Sequence, residues 1–128
     1  MNLPDKIPVH FGVSGNPDLW GDKIKLTYIP VVMIFIYGLL TLVVRFPHTF
    51  NYLVEITQEN AEFQYKNARK LISWLKIEII FVFAYIEWIT VQVAYGKKSG
   101  LDVWFLPFFL VLLFGTVIFY FFKMIRNR

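Results

Sequence analysis

The chain has 128 residues, one domain's worth, of which 57% are apolar and 20% aromatic, and it contains no cysteine. A soluble globular chain carries about 45–50% apolar residues, so the excess points to the membrane class, and the lack of Cys excludes disulfides and thiolate metal sites. The formal charge is +4, but no soluble segment carries a basic stripe interleaved with aromatics, so nucleic acid is excluded and the cations read as topology determinants.

The opening residues 1–26 precede the first apolar run. Their start, "MNLPDKIP", lacks the basic n-region and apolar h-region of a signal peptide. The stretch reads as an irregular cap on the membrane surface. Gly12, Gly15 and Gly21 permit positive φ, "GNPD" has turn chemistry through Pro17 and Asp18, and Trp20 suits an interface.

Three spans follow, each about the 20 residues that cross roughly 30 Å of hydrocarbon. The first covers 27–46, with Pro30 near its start, where it is absorbed in an early turn or bends the helix. A polar segment, 47–70, then turns helical from Thr57, a good N-cap. Glu62 and Lys66 are spaced for an i,i+4 pair, and the helix runs on without Gly or Pro into the second span, 71–93. After the short loop "AYGKKSG" comes the third span, 101–122, in which Pro107 is expected to kink the helix and Gly115 to offer a close packing point. The fold expected is an all-α polytopic membrane protein of three transmembrane helices, a single membrane domain over 1–128.

Basic residues set the orientation. Arg45, Lys66, Arg69, Lys70, Lys123, Arg126 and Arg128 share one side; Lys6, Lys23, Lys25, Lys97 and Lys98 share the other. The richer side reads as cytoplasmic, which puts the N-terminus outside, the C-terminus inside, and Lys76 reaching toward the inner side. The run "ENAEFQYKNARK" reads as a solvated helix start bearing topology charges, with anionic headgroups or a cytoplasmic regulator as the alternative.

His10 with Asp5, Asp18 and Asp22 is the nearest thing to a metal set. The only other histidine, His48, falls on the opposite side, and no spaced ligand pair exists, so a His10 bonded to backbone is the expectation and no metal is invoked. "GVSGNPDLWG" lacks the ending of a phosphate loop, and no histidine on the Phe-rich third span can ligate haem iron; no cofactor is expected. The sharper signal is intramembrane charge, which is costly in lipid and faces protein or water. Glu78, Tyr85 and Gln92 recur every seven residues as one polar stripe, either a functional path or a packing seam. Glu87 lies on the opposite face, with Lys76 about 16 Å from it along the axis, too far for an ion pair.

"LPDKIPVHFGVSGNPDLWGDK" resembles the signature of a bacterial and archaeal membrane family of unknown function, whose domain forms the N-terminal half of SdpI-type immunity proteins. Leu3, Pro4, Asp5, Ile7, Pro8, His10, Phe11, Gly15, Pro17, Asp18, Trp20, Gly21 and Lys23 carry the match. "NYLVEITQENAEFQYKNARKLISWLK" also looks like members of a small branch carrying this domain. The resemblance implies an extracellular signature loop between two helices, and hence a further helix ahead of this one in a four-span parent. It also implies a longer C-terminal half than this chain has. It implies binding of a peptide toxin or membrane protein partner, in immunity or envelope signalling, with His10, Asp18 and Trp20 meeting the ligand. The alternative is a homo-oligomeric transporter or channel component using Glu78, Tyr85, Glu87 and Gln92. No nucleophile–base pair, carboxylate dyad or metal cluster is readable, so an enzyme is not expected.

Overall fold

The computed structural model describes residues 3–127. Met1, Asn2 and Arg128, the last counted among the cytoplasmic cations, lie outside the described residues. The chain runs as strand β1 (Lys6–Phe11), strand β2 (Pro17–Asp22), a 3-10 turn (Lys23–Thr27), helix α1 (Tyr28–Val43), a short 3-10 turn (Pro47–Thr49), helix α2 (Ala61–Ala94) and helix α3 (Phe105–Arg126). All three helical segments are long and apolar enough to cross a membrane, which makes this a multi-pass membrane protein.

The expected irregular cap is instead a β-hairpin. β1 and β2 pair antiparallel, with Lys6 opposite Asp22 and Phe11 opposite Pro17. The reversal lies in 12–16 rather than in "GNPD": Gly15 N–H donates to Gly12 O (2.9 Å) and Gly12 N–H to Asn16 O (2.8 Å). Pro17 and Asp18 already belong to β2. Of the three hairpin glycines only Gly15 takes positive φ, at 93°. The open end is tied by exposed Lys6–Asp22 and Lys23–Asp5 ion pairs, and Lys6 holds the Asp22 carboxyl below the usual carboxylate range.

Glycine also explains how the hairpin docks. Gly15 O accepts the N–H of Leu101 in the α2–α3 loop at 2.7 Å. A Cβ on Gly15 would collide with the Leu101 carbonyl, and one on Gly100 with the Gly15 carbonyl. The two backbones cross where only glycine allows the approach. β1 also packs on the end of α2. Ile7 and Pro8 are fully buried on the hairpin, and Ile89, Thr90 and Val93 are buried at that end of α2.

α2 is the central helix, packed against both α1 and α3. Its 34 residues make a rod of about 51 Å, well over the roughly 30 Å of hydrocarbon. Its entry corrects the expected Thr57 N-cap: the helix starts at Ala61, Asn60 holds the N-cap position and no side chain caps it. In the turn just ahead of it the Thr57 hydroxyl accepts the Asn60 N–H (3.2 Å), and the Asn60 side-chain oxygen accepts the Thr57 N–H (2.7 Å), a reciprocal pairing of the kind that precedes helices. The Glu62–Lys66 pair does not form; the ion pairs among the described residues lie elsewhere.

Both span prolines sit in first turns. Pro30 is the third residue of α1 and Pro107 the third of α3, where a helix has unpartnered N–H groups anyway, so Pro107 begins a helix rather than kinking one. Gly115 is not a packing point, since a Cβ there would meet nothing within 4 Å. At the far end of α3, Lys123 and Arg126 complement the helix dipole.

Candidate functional site

The hairpin strands are irregular in a way that builds a site. From Pro8 to His10 β1 advances two residues while β2 advances one, and from His10 to Phe11 the excess passes to β2. Val9 and then Asp18 are the extra residues. Such bulges re-aim side chains, and the first adjoins Pro8, which has no N–H for a ladder. The result is that Asp18 Oδ1 lies 2.6 Å from His10 Nδ1. The sequence expectation of a His10 bonded to backbone is therefore corrected: its partner is a carboxylate. Both side chains remain largely exposed. Trp20, the third candidate of the cap, lies opposite Pro8 on β2 and is half-exposed, apart from this pair.

Beneath the pair lies a cleft of about 640 Å³. The hairpin roofs it through Val9, Phe11 and Val13. Ile29 of α1, Val82 and Ile86 of α2, and Phe105 and Phe109 of α3 wall it. Its polar lining side chains are His10, Asp18 and Asp102. Asp102 is held from two sides: the Tyr85 hydroxyl donates to its Oδ2 at 2.9 Å, and Lys98 Nζ stands 3.9 Å away. The Tyr85 ring stacks on Phe105 with centroids 4.8 Å apart. An apolar chamber with a few fixed polar groups is the usual form of a ligand site. Among the described residues, no three or more of His, Cys, Asp and Glu come together as metal ligands would; Asp5, Asp18 and Asp22 each face a cation or His10 instead.

The intramembrane charges go to different seams. Glu78, 7% exposed, accepts from the Thr116 hydroxyl of α3 at 2.6 Å, and its Oε2 has no partner. With the Tyr85 ring on Phe105, this places two members of the predicted stripe against α3. Gln92, the third, is half-buried near the end of α2. Lys76, on another face, donates to Thr41 of α1 at 3.1 Å and stands 4.6 Å above the Tyr37 ring. Lys76 and Glu78 are thus each met by one threonine from a neighbouring helix. Glu87 is half-buried, with no hydrogen-bond or ion-pair partner among the described residues.

Three groups escaped the reading from sequence. Asp102 stands at the head of the third span with no local signal; its link to Tyr85 is tertiary. Thr116 has no local signal. Gln64 is wholly buried and donates to Met124 O at 2.8 Å, joining the start of α2 to the end of α3. That contact, with the Leu101–Gly15 bond, sorts the loops: hairpin and α2–α3 loop share one face of the membrane domain, and the α2 start and the C-terminal end share the other.

The fold and cleft define the class: a small multi-pass membrane protein with a β-hairpin roofing an apolar cleft between its helices. Against known proteins, the family model described as "Domain of unknown function (DUF1648)" matches residues 1–34, which covers the hairpin, the 3-10 turn and the first residues of α1. No curated protein matches the chain, and no solved structure does.

Proposed function

We propose that this chain is a membrane-embedded binding protein that receives a peptide or protein partner in the hairpin-roofed cleft, in the manner of SdpI-type immunity or envelope-signalling proteins. The observation that carries the reading is the cleft itself: aromatic and aliphatic walls supplied by three helices, with His10, Asp18 and Asp102 as its polar lining. An amphipathic peptide offers what such a site takes, an apolar face for the walls and charged groups for the imidazole and carboxylates. The cleft lies on the face proposed as extracellular, with the α2 start and C-terminus in the cytoplasm. The resemblance of 3–23 to the SdpI-type signature supports the same assignment.

The test is protection. A toxin-sensitive bacterial strain producing this chain is challenged with the peptide toxin against which SdpI-type proteins protect. Survival is expected to rise, and to fall again when Asp18→Ala or Phe109→Ala is present at equal membrane level. Equal killing with and without the chain would overturn the immunity reading. Because the chain has no cysteine, a single Cys at Val13, 85% exposed, reports sidedness directly. Labelling of intact cells by an impermeant maleimide supports the outward hairpin, and labelling only after lysis contradicts it.

The second reading, a subunit of an oligomeric transporter, rests on Glu87, an unpartnered intramembrane carboxylate among the described residues. Glu78 and Tyr85, by contrast, are engaged with Thr116 of α3 and with Asp102 of the α2–α3 loop. A strictly monomeric protein in several mild detergents would remove that reading.

A further inference from the structure

α2 is longer than a bilayer core, and the excess lies at its start. From Leu71 to Ala94 the helix is 24 residues, about 36 Å, enough for the hydrocarbon with some tilt. The turns before Leu71 therefore stand at headgroup depth. One side of these turns is spent on the protein: Gln64, Asn67, Ala68 and Leu71 are buried. The other side carries Lys66, Arg69 and Lys70, all exposed.

Among the described residues these three cations have no acidic partner. The ion pairs among the described residues involve Lys6, His10, Lys23 and Lys98, and no side-chain hydrogen bond uses Lys66, Arg69 or Lys70. They also share a groove of about 270 Å³ with Ser73, Trp74 and Ile77. The groove does not close at the cations. Trp74 is 51% exposed, Ile77 47% and Phe81 74%, and all three continue the same side of the helix into the membrane. Read along the axis, the exposed face runs from cation to hydroxyl to indole to aliphatic and aromatic surface. Lys70 to Phe81 spans about 16 Å, close to half of a roughly 30 Å hydrocarbon core.

We propose that this face of α2 is a binding site for one anionic phospholipid. Lys66, Arg69 and Lys70 hold the phosphate, Ser73 and Trp74 meet the glycerol and ester region, and Ile77 and Phe81 line an acyl chain. The order of chemistries matches the order along a lipid molecule, and charge complementarity selects the anionic class. A soluble phosphate would use only the first three residues and leave Trp74, Ile77 and Phe81 without a role. The inference is independent of the partner proposed for the hairpin-roofed cleft, which lies on the opposite face of the membrane domain.

Native mass spectrometry of the detergent-purified protein tests it, with phosphatidylglycerol and phosphatidylcholine of identical chains as probes. One phosphatidylglycerol is expected to be retained at least tenfold more tightly than phosphatidylcholine. A cation near an anionic surface contributes about a factor of five, so Lys66→Gln with Lys70→Gln lowers phosphatidylglycerol affinity by up to about thirtyfold. Lys123→Gln with Arg126→Gln, which removes two cations of the same membrane face on α3, leaves it within twofold. All four side chains are polar helix-surface positions, and unchanged elution and circular dichroism confirm folding. Equal retention of the two lipids overturns the proposal. So does a preference that survives loss of Lys66 and Lys70, or one lost equally in the α3 variant, which marks diffuse charge. Displacement of the lipid by millimolar inorganic phosphate would reassign the site to a free anion.

Discussion

Thr116→Val is the most informative single change for the membrane core. The Thr116 hydroxyl donates to Glu78 at 2.6 Å, with the Leu112 carbonyl 2.9 Å away as its other acceptor. Glu78 is 7% exposed and its second oxygen has no partner. Valine keeps the side-chain shape and removes the donor, which leaves the whole carboxyl unpaired between α2 and α3. Hydrogen bonds to charged groups are worth about 1.5–3 kcal/mol in proteins, whereas interhelical ones in membranes average about 0.6 and reach about 1.7 kcal/mol. The expected loss is therefore about 1–2 kcal/mol. Glu78→Leu removes the group that needs the donor. In that background Thr116→Val is expected to cost under about 0.5 kcal/mol, because the remaining hydroxyl contact is only to its own helix. The assay is reversible unfolding in mixed micelles by SDS titration, followed by tryptophan fluorescence, as a double-mutant cycle. Additivity of the two changes within about 0.3 kcal/mol would refute the view that this contact holds α2 to α3.

Three further outcomes follow from the same geometry. Gly15→Ala combines positive φ with a collision against the Leu101 carbonyl and is expected to undock the hairpin at a cost above about 1 kcal/mol; faster cleavage between 12 and 16 by added protease reads this, with Gly12→Ala, whose Cβ meets only ordinary contacts, unchanged. Tyr85→Phe deletes the donor to Asp102 while keeping the stack on Phe105, and should lower stability by about 1 kcal/mol; in an Asp102→Asn background the same change should cost less, and full additivity would argue against the pair. Burial pushes the Tyr52 phenol up to about 12 from 10.0, with the nearby Tyr65 adding to it, and its hydroxyl donates to Pro47 O at 2.7 Å. The unfolded chain then ionises first, so stability is intact below pH 10 and falls as pH rises through 12, by at most about 2–3 kcal/mol. Tyr52→Phe should abolish that slope in an SDS-titration series across pH 9–12.

The three spans were legible because crossing a bilayer imposes one-dimensional constraints, length and apolarity, that a sequence displays directly. The long unbroken α2 was legible for the related reason that a helix depends on neighbours within four residues, although its start moved from Thr57 to Ala61. Local cues misled wherever a helix boundary moved: Pro107 reads as a kink only if the helix begins at Leu101, and the turn through Asp102 to Trp104 moves that start to Phe105. The hairpin was missed because two bulges erase the strict alternation that announces strands, and because Pro8 and the glycines read as turn signals. His10 and Asp18 stand together among the candidates of the cap, yet their direct pairing depends on register, which the pairing across eight residues decides. The stripe of Glu78 and Tyr85 was visible as periodicity, but its meaning was not. Periodicity states which side chains share a face, and only the packed partner, Thr116 on α3 or Asp102 in the α2–α3 loop, decides whether that face holds the bundle together or lines a path. The same limit applied to Lys66, Arg69 and Lys70. Their spacing was in the sequence, whereas their lack of acidic partners and their alignment with Trp74 and Phe81 come from the burial of the opposite side of α2 against the rest of the molecule.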